Sequence, residues 1–99
     1  MVEKLVGKKV IYAVWHDRSV RTGWCERVQE IWPGGRLWPH IADDESGATL
    51  VVFGPVIPYD EHIAEELGWM GMERSGGFMQ CWEWLLSMDC NRYGDSEQE

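Results

Sequence analysis

Apolar residues in the first half of the chain alternate with polar ones or gather in short β-branched runs; in the second half they fall at helical spacing. Residues 8–16 (KKVIYAVWH) follow Gly7 and are rich in β-branched and aromatic types, which reads as a strand. Asp17-Arg18-Ser19 supplies turn chemistry. Val20 to Ile31 alternates imperfectly, through Val20, Thr22, Trp24 and then Val28, and predicts a second strand bent or bulged near Gly23. Trp32-Pro33-Gly34-Gly35-Arg36 is a turn signal, and Leu37 to Ile41 a short third strand that Pro39 pushes to a sheet edge. After a polar turn at 43–47 (DDESG), Ala48 to Phe53 is the clearest buried strand. Gly54 to Pro58 then reads as an extended connection, because each proline disfavours helix at the residue before it.

The period changes at Asp60. This residue is a good N-cap, with Ile63, Ala64 and Leu67 on one face of the following turns and Glu61, Glu65 and Glu66 on the other. Gly68 sits where a helix commonly ends. From Gly76-Gly77 onward, Phe78, Cys81, Trp82, Leu85 and Met88 recur at helical spacing. A strand placing Phe78, Gln80, Trp82 and Trp84 on one face competes with that helix, which is preferred because its pattern extends past Leu85. The expected fold is α+β: a small antiparallel sheet of three or four strands over residues 8–54, followed by two helices at 60–67 and 78–90 packed on it. One domain spans 1–92, and 93–99 form a frayed acidic tail.

Composition agrees with one ordinary folded domain. The 99 residues are 44% hydrophobic and 12% aromatic, enough apolar material for a single core. The longest apolar run, Val10 to Trp15, is far short of the roughly 20 residues that a spanning helix needs. Lys4, Lys8 and Lys9 precede no long apolar segment, so the N-terminus does not read as a signal peptide and a cytoplasmic protein is expected. Cys25, Cys81 and Cys90 are odd in number and widely spaced, which suits small buried apolar residues better than a disulfide framework.

Charge changes the picture more. Lys and Arg total 9 against 17 Asp and Glu, a net charge of −8. Residues 1–49 balance, whereas residues 50–99 hold Arg74 and Arg92 against ten carboxylates and so carry the whole excess. A field of this sign repels nucleic-acid phosphates and anionic membranes and attracts basic surfaces. Arg18, Arg21 and Arg27 leave room for a local basic patch within that field.

Candidate chemistry is sparse. His62 and Glu66, one helical turn apart, form half of a metal site, and neither His16 nor His40 stands at a spacing that completes it. Asp43-Asp44-Glu45 lacks the alternating ligands of a calcium loop and reads as a solvated turn. No cysteine has an electropositive sequence context, and neither Gly-Gly pair fits a phosphate loop. An enzyme, a cofactor and a metal are therefore not expected.

Tryptophan is in surplus, with seven in all. A core this small takes about half of them; the others are expected at the surface, where tryptophan anchors interfaces. Trp84, off the apolar stripe of the last helix, and Trp69 are the first candidates for exposed anchors, and a homodimer contact is another use for them. The acidic half and the spare aromatics together predict a module that docks on a basic, nucleic-acid-binding surface of a protein partner and inhibits it. The expected contact residues are Asp60, Glu61, Glu65, Glu66, Glu73, Glu83, Trp69 and Trp84. In size and charge, though in no motif, the chain resembles phage-encoded inhibitors of bacterial defence such as anti-CRISPR and anti-restriction proteins. An immunity protein or antitoxin against a basic toxin is the alternative with the same charges, and a small metal-dependent enzyme using His62 and Glu66 is the alternative from another class.

Overall fold

The computed structural model describes residues 2–73 and 77–90, without the side chains of residues 69–73. A short 3-10 helix, Val2–Leu5, precedes five strands: β1 (Lys9–Val14), β2 (Ser19–Glu30), β3 (Leu37–Asp43), β4 (Thr49–Val51) and β5 (Val56–Pro58). Two helices follow, α1 (Glu61–Glu73) and α2 (Gly77–Met88). The fold is α+β, and every described strand pairing is antiparallel.

The strands form one sheet in the order β4-β3-β2-β1-β5. β5 is the strand that the sequence reading lacks. Pro55 before it and Pro58 at its end conceal it, yet Ile57 faces Ile11 and Val56 faces Tyr12 across a regular pairing with β1. Residues 52–55 alone join β4 at one edge to β5 at the other. A flat five-strand sheet would hold those edges about 19 Å apart at ~4.8 Å per strand, beyond the roughly 17–18 Å that the five extended steps from Val51 to Val56 can reach. The sheet is accordingly rolled. Its concave side encloses Val10, Tyr12, Cys25, Ile41, Val52 and Val56, with Val2 and Leu5 packed among them.

The other side carries a second core, in which Ile11, Ala13 and Ile57 meet Leu67 of α1 and Cys81 and Leu85 of α2. β1 therefore buries both of its faces. That is why its sequence is an unbroken apolar run rather than an alternation.

Several boundaries differ from expectation, each for a physical reason. The bulge in β2 lies between Cys25 and Arg27, not at Gly23. Gly23 instead permits close approach of two strands, since a Cβ there would collide with the Ala42 carbonyl and the Ile41 side chain. Pro39 stands in an interior strand. Its carbonyl accepts from Val52 N at 3.0 Å, so its missing N–H faces the side where β4 has already ended. β4 itself is a three-residue edge strand, and of residues 48–53 only Val52 is buried.

α1 runs through Gly68 to Glu73 instead of stopping at Leu67. Asp60 does cap it: Oδ1 accepts from the backbone N–H groups of His62 (2.9 Å) and Ile63 (3.1 Å). Residues 77–88 are helical, which settles the competition with a strand. The tail at 93–99 and Gly76 lie outside the described residues.

Candidate functional site

The carboxylates on the helices come first. Asp60, Glu61, Glu65 and Glu66 are all exposed on α1, and Glu83 is exposed on α2. The ion pairs among the described residues are Lys9–Asp44, at 3.6 Å, and Arg21–Asp17, both on the sheet. Nothing described neutralises the helix carboxylates. Glu73 ends α1 and Trp69 lies within it, but their side chains are outside the described set. His62 and Glu66 are exposed one turn apart, and no group of three or more His, Cys, Asp or Glu suited to a metal ion occurs among the described residues.

Asp43 departs from the solvated turn expected of it. It is buried, with Oδ1 accepting from the Tyr12 hydroxyl at 2.5 Å and Oδ2 from Ser46 N at 2.8 Å. Burial alone would raise its pKa, but the Tyr12 and Ser46 hydrogen bonds and the nearby Arg21 guanidinium outweigh it and hold the carboxyl below its ordinary value. Burial, then the bond to Asp43 and that residue's charge, push the Tyr12 hydroxyl well above the usual phenol range. Asp44 is engaged as well, accepting from the Thr22 hydroxyl at 2.9 Å. This cluster fastens the β3–β4 turn to β1 and β2.

Cys25, Cys81 and Cys90 form no disulfide among the described residues. Burial raises the pKa of Cys25 and of Cys81, which makes both poor nucleophiles.

The aromatic residues are arranged differently from expectation. Trp84 is half-buried and packs on the helix-side core, whereas Trp15, Trp24 and Trp32 are 48%, 50% and 50% exposed on the strands and turns of the sheet half. One ring series runs from Trp32 over Trp38 (centroids 6.3 Å apart) to Phe53 (5.1 Å). A second joins Trp15 edge-on to Trp82 (4.9 Å) and to Phe78 (5.8 Å).

Between the two series lies a recess of about 440 Å³. Val14, Trp15 and His16 form one side, the stretch from Leu50 to Gly54 the other, and Trp82 the end. Its volume is in the range of small-ligand sites. Gly54 is essential to its shape, since a Cβ there would lie 2.9 Å from the Ala13 carbonyl and 3.0 Å from Cη2 of Trp82. The indole of Trp82 rests directly on that backbone.

The recess and the acidic start of α1 are at opposite ends of β1. Tyr59 N donates to the Lys9 carbonyl at 2.9 Å, which seats the first turn of α1 beside Lys9, while the recess opens beyond Val14. Six strand residues separate them, roughly 20 Å. Sequence reasoning did not find the recess, because its walls come from three segments that only the rolled sheet and α2 bring together.

No described helix is long and apolar enough to cross a membrane. No protein family, characterised protein or solved structure matches the chain.

Proposed function

We propose that this chain is a small binding module without catalysis of its own, which docks an acidic helix face on a basic surface of a protein partner. The observation that carries this reading is the uncompensated charge of α1. Asp60 has a structural task as the cap, and Glu61 in the first turn suits the helix dipole. Glu65 and Glu66 have no such explanation. Glu65 stands one turn from Glu61 on the same helix face, a like-charge pair that costs about 0.2–0.5 kcal/mol. Carboxylates that weaken the helix and meet no cation in the described structure are suited to meeting one on a partner.

Basic protein surfaces are largely those that bind nucleic acid, so the module would act by occupying such a surface and excluding its ligand. The test reverses Glu61, Glu65, Glu66 and Glu83 to lysine while leaving Asp60 in place, because loss of the cap would confuse folding with binding. Partner affinity is then measured at several salt concentrations, alongside competition with nucleic acid. The expected result is affinity that falls with salt for the native chain and is lost in the variant. Affinity independent of both salt and these four residues would overturn the reading.

A further inference from the structure

The walls of the recess beside Trp15 have a definite chemistry. Trp15, Phe53 and Trp82 present aromatic surface to it, and Val14, Leu50 and Val52 supply aliphatic surface. No carboxylate and no lysine or arginine lines it. Phe53 is 57% exposed and Trp15 48%, so both rings have open surface.

The chain also shows what its rings attract. Arg36 lies over Trp38 with its guanidinium carbon 4.2 Å from the ring centroid, Lys9 over Tyr59 at 4.4 Å, and Arg18 by Trp15 at 5.8 Å. Arg18 reaches that place from a left-handed backbone conformation (φ 54°), the only positive φ at a described non-glycine residue. Arg18 thus packs against one ring of the wall, although it lines the neighbouring recess with Phe78 and Cys81 rather than this one.

We infer that the recess receives one arginine side chain of the basic partner. This rests on the proposal of a basic partner and adds a second contact at the far end of β1. Arginine suits the walls better than lysine for two reasons. Without a carboxylate in the lining, the cation must be held by ring contact, and a planar, weakly hydrated guanidinium stacks on indole more readily than a strongly hydrated ammonium. Its three-carbon stem lies against the aliphatic wall, while the outer edge of the head stays in water. The chain's net charge of −8 favours the approach of such a group over that of an anion.

The test uses the full chain and a blocked Gly-Gly-Arg-Gly-Gly peptide, with lysine, citrulline and norleucine versions as controls. Binding is followed by the indole N–H resonances of Trp15 and Trp82 in a two-dimensional NMR titration. Saturable shifts at both indoles are expected, with the arginine peptide binding about five-fold or more tighter than the other three. Phe53→Leu keeps the wall apolar but removes a ring, and it should weaken the arginine peptide several-fold while the rest of the spectrum keeps its native dispersion. Equal binding of the norleucine or citrulline peptide would overturn the inference, leaving a merely apolar recess. So would shifts confined to α1. The lysine variant at Glu61, Glu65, Glu66 and Glu83 separates the two ideas: it should abolish partner docking yet leave the indole shifts with the short peptide within about two-fold.

Discussion

The Tyr12 hydroxyl donates to Asp43 Oδ1 at 2.5 Å inside the rolled sheet, and so ties β1 to the end of β3 across the intervening β2. Tyr12 is fully buried and Asp43 is 4% exposed, so neither group has water as a substitute partner. Tyr12→Phe should therefore destabilise the protein by about 1–3 kcal/mol, since it leaves one oxygen of a buried carboxylate without its donor. Urea unfolding checks this. A change under about 0.5 kcal/mol would show that the bond contributes no net stability.

The same carboxyl sets a pH dependence. Its pKa in the fold is held below the ordinary value, so its contribution is fully present above about pH 4 and is lost as pH falls through the lower folded value. Stability of the native chain should decline below about pH 4, and Asp43→Asn should flatten part of that decline. Asp17 adds to the slope in the same direction, because the Ser19 hydroxyl and Arg21 hold it down too. Identical pH profiles for the native chain and Asp43→Asn would rule this role out.

Asp89 closes the outer edge of β5. Its buried Oδ1 accepts from Val56 N at 3.0 Å, and Cys90 N donates to the Val56 carbonyl at 3.0 Å. The segment after α2 thereby covers backbone groups that would otherwise invite another strand. Asp89→Ala should cost about 1–3 kcal/mol and speed hydrogen exchange at the Val56 amide before that of β1.

Two glycines should respond in opposite directions. Gly68 lies inside α1 with nothing described within 4 Å of the position a Cβ would take, so Gly68→Ala should stabilise by about 0.5–1 kcal/mol. Gly23→Ala should destabilise clearly, because the new Cβ meets the Ala42 backbone, which cannot move without parting β2 from β3. Thermal unfolding of the two variants decides both.

Local physics determined much of this protein from its sequence. β-branched runs placed β1 and the start of β2, the Asp60 side chain fixed where α1 begins, and the spacing from Phe78 to Met88 made α2 a helix. The unbalanced carboxylates were legible too, since exposed charge needs no tertiary partner to stay at the surface.

Tertiary structure decided the rest. β5 is a strand because rolling brings it beside β1, not because Val56-Ile57-Pro58 has a strand's pattern. α1 passes through Gly68 although glycine costs about 1 kcal/mol of helix propensity there, a cost that the helix interior absorbs. Asp43 reads as a loop carboxylate until Tyr12, 31 residues away, is folded against it. The aromatic recess likewise has no local signature: its rings at positions 15, 53 and 82 meet only because a short link forces the sheet to curl and α2 lies across its end. Periodicity reports which face of an element is buried, whereas what two distant faces enclose depends on closure of the chain.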